Sequence, residues 1–305
     1  MDSKETEIIF PAALQPGDII GIAAPAGAFD HMKLHRGISV VEEMGFKVFT
    51  PKGLFETEDY LAGSDEHRAR ILNHLFGEPR IKAVICARGG FGSLRILSLL
   101  DYKTIRKSRK IFLGFSDITA ILTAIHMRCD LVGFHGPMIT SLADANRASR
   151  DAMLKALTSH RKMTIKPANG LTLKAGISAG TVTGGNLATL CHLIGTPFQP
   201  NLDGHILVLE DIGEPHYKID RMLIQMKLAG CFNNMAGLVL GSFENCGALE
   251  GVYRVVEKNF KEYDFPILAG FEVGHAATNI TIPVGLRATL DADNHMLIYH
   301  SPAVQ

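Results

Sequence analysis

The chain has 305 residues, with 31 Lys+Arg balanced by 31 Asp+Glu, a formal net charge of +0 and only 20% charged residues. Without a basic excess to neutralise phosphates, it is not expected to bind nucleic acid or an acidic surface. A hydrophobic content of 47% and a mean hydropathy of +0.14 exclude a disordered chain, and the length suggests about two domains.

The segment Met1-Asp-Ser-Lys-Glu-Thr-Glu is acidic where a signal peptide would be basic, and no apolar run approaches the roughly 20 residues of a membrane span. The five cysteines (Cys86, Cys129, Cys191, Cys231, Cys246) are widely spaced, with no C-x-x-C pair. A reduced, cytoplasmic protein without a membrane segment, disulfide framework or zinc site is the expectation. A strand at 18–23 runs into Ala24-Pro-Ala-Gly-Ala and a helix near 31–44, followed by a second strand at 46–50. A helix around 64–75 places Arg68, Ile71, Leu72 and Leu75 at helical spacing, and a third strand at 83–87 ends in Arg88-Gly-Gly-Phe-Gly. A helix at 94–100, a strand at 111–114, a helix at 117–126 and a strand at 131–134 complete the rhythm, the last running into His135-Gly-Pro-Met. Apolar strands alternating with helices predict a parallel sheet covered on both faces, with sites beyond the carboxyl ends of its strands.

This N-terminal α/β domain is assigned to residues 1–160 and closes with a helix near 150–158. The polar stretch 159–168 marks the linker, placed at 161–170. From 171 to 305 the character changes to short strands at 171–173, 179–183, 205–209, 236–241, 266–269 and 288–291, with helices near 186–193 and 218–229. These predict a smaller, β-rich C-terminal domain built as a mixed sheet or partial barrel.

Reactive chemistry concentrates at Leu113-Gly-Phe-Ser-Asp-Ile-Thr, a buried strand turning into a helix at Ser116. A nucleophile elbow needs a serine on such a strained turn with small residues beside it; Gly114 fits, although Ile118 stands where the second glycine of G-x-S-x-G would be. Ser116 or Asp117 as a simple helix N-cap explains the same residues. An activated serine needs a base and a group to orient that base. Among 13 histidines, His275 in Phe271-Glu-Val-Gly-His-Ala-Ala-Thr-Asn lies among small residues that leave its ring accessible. Glu210 ends an apolar strand, with Asp211 and Glu214 as competitors and a solvated turn as the plain alternative for all three. Two glycine loops, Arg88-Gly-Gly-Phe-Gly-Ser and Thr183-Gly-Gly-Asn, can turn backbone N–H groups toward an anion. Neither matches a nucleotide-binding fingerprint, and no H-E-x-x-H or compact His/Asp cluster supports a metal hydrolase.

Taken in order, Gly17-Asp-Ile-Ile-Gly-Ile-Ala-Ala-Pro-Ala-Gly, Ala87-Arg-Gly-Gly-Phe-Gly-Ser, Leu113-Gly-Phe-Ser-Asp-Ile-Thr-Ala, Phe134-His-Gly-Pro-Met, Gly184-Gly-Asn-Leu, Leu209-Glu-Asp-Ile-Gly-Glu, Tyr217-Lys-Ile-Asp-Arg-Met-Leu and Gly274-His-Ala-Ala-Thr-Asn resemble the serine LD-carboxypeptidases and the related microcin C self-immunity peptidases. The resemblance runs over nearly the whole chain. It implies a flavodoxin-like N-terminal domain akin to class I glutamine amidotransferases, with a smaller C-terminal domain that supplies part of the site. It further implies Ser116 as nucleophile, His275 as general base and then acid, and Glu210 as its orienting partner. The oxyanion hole falls to the backbone N–H of Asp117 and of the Gly89–Gly90 loop. The implied reaction is metal- and cofactor-independent release of terminal D-alanine from murein tetrapeptides during cell-wall recycling, by an enzyme that pairs as a homodimer. Arg88, Arg254 or backbone N–H groups are open candidates for the substrate's terminal carboxylate. Two other readings stand beside it: a peptidase acting on microcin C-like aminoacyl or peptidyl nucleotides, for which the absence of Trp is unfavourable, and a non-catalytic murein-peptide binding protein.

Overall fold

The computed structural model describes residues 8–305; the acidic segment 1–7 lies outside the described residues. In chain order the elements are β1 (Ile19–Ala23), α1 (His31–Glu43), β2 (Lys47–Phe49), α2 (Asp65–Gly77), β3 (Ile81–Cys86), α3 (Ser93–Ile96), α4 (Tyr102–Ser108), β4 (Ile111–Gly114), α5 (Thr119–Cys129), β5 (Gly133–His135), α6 (Ile139–Leu142) and α7 (Arg147–Thr158). They continue as β6 (Thr164–Ile165), β7 (Leu171–Lys174), β8 (Ile177–Asn186), α8 (Leu187–Leu193), β9 (His205–Ile212), α9 (His216–Leu228), β10 (Gly237–Glu244), α10 (Leu249–Phe260), β11 (Ile267–Ala269), β12 (Ile282–Val284), β13 (Arg287–Asp291) and β14 (Met296–Tyr299). Among the described residues no helix is long and apolar enough to cross a membrane.

The first sheet has the order β12-β5-β4-β3-β1-β2. Strands β1 to β5 are mutually parallel in the flavodoxin-like order 2-1-3-4-5, as expected from the alternation of apolar strands and helices. β12 joins its edge antiparallel to β5, through Ile282↔His135. Pro283 inside β12 is compatible with that place because an edge strand does not need every N–H. The second sheet, β6-β14-β13-β8-β9-β10-β11-β7, is parallel from β8 to β11 and antiparallel on both flanks. Residues 161–170 carry β6, which pairs with β14, and β12 connects the C-terminal half into the first sheet.

Buried Ile, Val and Leu on both faces of β3, β4 and β9 form the core; Ile85, Phe112, Leu113, Val208 and Leu209 are all at most 1% exposed. With both faces covered, a site is expected at the carboxyl edge of the parallel strands. The loops after β1, β3, β4 and β5 emerge together at that edge. All five cysteines are buried and free.

Candidate active site

β4 ends at Gly114, where a Cβ would lie 2.7 Å from Ile118 Cγ2, so the strand and the following turn approach each other only because a glycine is present. Phe115 is extended, and Ser116 then takes φ +63°, the left-handed conformation that a non-glycine residue adopts at a cost. A 3-10 turn over Ser116–Ile118 feeds directly into α5. Neither the turn nor α5 has a side-chain N-cap, so the capping explanation for Ser116 and Asp117 does not hold. The Asp117 carboxylate instead points beneath the neighbouring loop, where Oδ2 accepts from Ser93 N at 2.9 Å and the Asp117 carbonyl accepts from Ser93 Oγ at 2.5 Å. Burial pushes its carboxyl above the usual range, an effect opposed by these hydrogen bonds.

The loop after β3 packs against the serine. A Cβ on Gly89 would sit 3.0 Å from Ser116 Cβ, 3.2 Å from Ser116 Oγ and 3.3 Å from Asp117 N, which brings the Gly89–Gly90 backbone alongside the hydroxyl. Gly27 N donates to Gly89 O at 3.0 Å, fixing the loop from the β1 side. Arg68, 1% exposed, ties three loops together by donating to Gly63 O (3.1 Å), Gly92 O (2.9 Å) and Pro25 O while pairing with Asp65. Its signal in the sequence was an arginine at an apolar position of the helical pattern. The charge is buried because each guanidinium nitrogen meets an acceptor.

The second sheet contributes a carboxylate and an imidazole. Glu210 lies inside β9, two residues before its end at Ile212, and is 0% exposed. His275 follows Gly274, whose φ of +119° and close approach exclude a side chain: a Cβ there would collide with Glu210 Oε2. The Asn279 side chain accepts from Gly274 N at 3.1 Å and holds this turn. His275 Nδ1 donates to Glu210 Oε2 at 2.6 Å, because an ionised carboxylate only accepts. Nε2 is thereby the nitrogen available for chemistry. Burial pulls the His275 imidazolium down, but the hydrogen bond and charge of Glu210, with Asp211 and Glu244 behind it, leave its pKa raised above 6.5. The Phe115 ring lies 4.9 Å from the imidazole, centroid to centroid.

Ser116, His275, Gly89, Gly90 and Arg88 all line one cavity of about 790 Å³ at the junction of the two sheets. Arg88 NH1 donates to Ala28 O at 2.6 Å, which holds the side chain at the rim. Arg254 is not brought there: it is exposed on α10, a helix packed on α9. Asp211 and Glu214 are also engaged elsewhere. Asp211 accepts from Asn186 Nδ2 (2.9 Å), Ala188 N (3.0 Å) and Ile212 N (2.8 Å), and burial raises its carboxyl to about 6. Glu214 pairs with Lys218 at 3.3 Å. The Thr183-Gly-Gly-Asn segment is no anion loop. β8 continues through it, and a Cβ on Gly184 would collide with Val208 O while one on Gly185 would lie 2.5 Å from Thr119 Oγ1, so the glycines serve close packing.

A hydroxyl on a strained strand-to-helix turn, sharing a cavity with a carboxylate-bound imidazole and flanked by glycine amides, has the parts needed for acyl transfer through a serine nucleophile. Family models agree on the class: residues 20–136 match the LD-carboxypeptidase N-terminal domain and residues 179–290 the C-terminal domain. The probable murein peptide carboxypeptidase of Bacillus subtilis is 38% identical, over 92% of this chain and 91% of that protein. Among solved structures, muramoyltetrapeptide carboxypeptidase from Oxalobacter formigenes superposes with a TM-score of 0.84 at 31% identity, covering 92% and 97% of the two chains. An MccF-like protein from Bacillus anthracis gives 0.91 at 26% identity, covering 95% and 99%. The chain belongs to the LD-carboxypeptidase family.

Proposed function

We propose that the protein is a cytoplasmic serine LD-carboxypeptidase that releases terminal D-alanine from murein tetrapeptides in cell-wall recycling and works as a homodimer. The observation that carries this reading is the 2.6 Å Glu210–His275 pair opening into the cavity that also holds Ser116. Ser116 Oγ attacks the carbonyl of the L-centre that precedes D-alanine, and His275 Nε2 takes its proton. Glu210 stabilises the resulting imidazolium and fixes the tautomer. The N–H groups of Asp117 and the Gly89–Gly90 loop receive the developing oxyanion, where each donor is worth about 100- to 1000-fold in kcat. His275 then protonates the departing D-alanine amine, leaving an acyl-serine that water hydrolyses by the same proton route in reverse. Arg88, at the cavity rim and without a carboxylate partner among the described residues, takes the terminal carboxylate of the substrate. No metal or cofactor enters this scheme.

The likeness to an MccF-like protein supports a second reading, hydrolysis of aminoacyl or peptidyl nucleotides by the same residues. A base-stacking platform is expected for such ligands, and the chain contains no Trp. Mass spectrometry of products from a murein tetrapeptide and from an aminoacyl nucleotide, each incubated with the purified protein, separates the two. Loss of one alanine from the tetrapeptide supports the first reading; cleavage of the nucleotide alone replaces it with the second.

A further inference from the structure

His135 is a fully buried histidine, 0% exposed, and neither ring nitrogen has a hydrogen-bond partner in the protein. Buried polar atoms are nearly always satisfied, so two free nitrogens beneath a reactive site call for a reason. The position of the ring supplies one. β5 sets His135 between Gly114 of β4 and Ile282 of β12, where the two sheets meet. The Phe115 ring packs near both histidines, its centroid 5.9 Å from His135 and 4.9 Å from His275. On the other side, a Cβ on Gly185 would reach His135 Cδ2 at 3.0 Å, and the next residue, Asn186, is the cross-strand partner of Glu210. The Glu210 carboxylate is only half satisfied: Oε2 accepts from His275 Nδ1, while buried Oε1 has no partner in the protein. Thr281 Oγ1, packed beside Gly136, is a further buried polar atom without one.

We propose that His135 is a positioning residue for the Glu210–His275 pair, joined to the free Glu210 oxygen through buried water in the seam between the sheets, with Thr281 anchoring the same water. The inference rests on the roles given above to Ser116, His275 and Glu210. A carboxylate oxygen only accepts, and a neutral imidazole offers one donor and one acceptor, so a bridging water can satisfy both groups. Burial holds His135 down at about 4, against the upward pull of Glu210, so the ring is neutral over the working range. A neutral donor steadies the carboxylate and, through the water, draws off part of the charge it presents to His275. The charged groups acting on His275 are Glu210 and Asp211 from β9 and Glu244 from β10; those acting on His135, on β5, are Glu210 and His275, and the Phe115 ring beside it carries no charge.

His135→Leu removes the donor, His135→Phe removes it while keeping a planar ring, and His135→Gln restores one. In the apolar variants kcat for D-alanine release falls about 10- to 100-fold with little change in KM, as when an outer partner of a functional side chain is lost. By NMR, the His275 titration midpoint rises by about half a pH unit, because the carboxylate charge then bears undivided on the His275 proton. His135→Gln recovers most of the rate and returns the midpoint toward that of wild type. A folded apolar variant with an unmoved His275 midpoint, or a Gln variant no better than the apolar ones, overturns the proposal. The titration needs no substrate, so it decides the role of His135 even where wild type releases no D-alanine, a result that counts against the carboxypeptidase reading alone.

Discussion

In the first sheet Ser116 is placed by backbone: a glycine at the end of β4, a left-handed residue, and a loop whose own glycine leaves room for the hydroxyl. In the second sheet Glu210 and His275 are placed by side chains: a carboxylate inside a parallel strand, paired with Asn186 on the β8 side and opposite a register shift on the β10 side, and a 2.6 Å hydrogen bond to an imidazole on a loop. The difference fits the roles proposed for each group. A nucleophile needs exposure, which strained backbone supplies, whereas a base needs a fixed tautomer and a stabilised charge, which a buried carboxylate supplies. The first arrangement is vulnerable to added atoms, the second to lost charge.

Predictions that probe this contrast rank accordingly. Glu210→Gln keeps the shape of the second arrangement but removes its charge, and kcat for tetrapeptide hydrolysis falls about 10⁴-fold in steady-state assays. The pH profile moves with it. As the proposed base, His275 must be neutral to accept a proton, and its pKa is raised, so kcat/KM of wild type climbs with pH through an acid limb above 6.5; in Glu210→Gln that limb shifts down. An unshifted limb contradicts the assignment of the base. Gly89→Ala attacks the first arrangement by crowding Ser116 Oγ at 3.2 Å, and costs about 100-fold in kcat, on the scale of one lost oxyanion donor. The urea midpoint, in contrast, changes little, because the loop lies at the surface of the cavity. Arg88→Met raises KM about 10- to 100-fold with kcat nearly intact, the pattern of lost uniform binding. Arg254→Ala, on the far α10, changes neither constant by more than about twofold; a large effect there relocates the carboxylate site.

The first sheet was readable because each βα unit announces itself: β4 occupies 111–114 as its apolar run predicts, and β1 and α1 fall within a residue of their expected ends. Its extra edge strand was not. β12 is three residues long, contains Pro283, and owes its place to pairing with β5, a partner nearly 150 residues away in sequence, so no local pattern marks it. α4 escaped notice because only Ile105 among its seven residues is buried, leaving no apolar stripe. α10 has such a stripe but no side-chain cap to mark its start. Within the site, Ser116 was ambiguous locally because a serine before a helix is also a good cap; the absence of any capping bond separates the two explanations. Glu210 could not be chosen over Asp211 by spacing, since adjacent residues of a strand face opposite sides and only the fold tells which side holds the imidazole. Asp211 turns to the N-terminus of α8, and Glu210 to His275. Arg68 and His135 carry no motif of their own. Their importance comes from burial, which emerges only when loops distant in sequence close over them.

The central claim is that Ser116 is the nucleophile, and comparing wild type with Ser116→Ala tests it most directly. D-alanine release from a murein tetrapeptide is followed by mass spectrometry, with EDTA in parallel and circular dichroism to establish that both proteins are folded. The account predicts release by wild type that is insensitive to EDTA, and a loss of about 10⁴- to 10⁶-fold in the folded variant. Turnover by Ser116→Ala within about tenfold of wild type, or turnover abolished by EDTA, contradicts it.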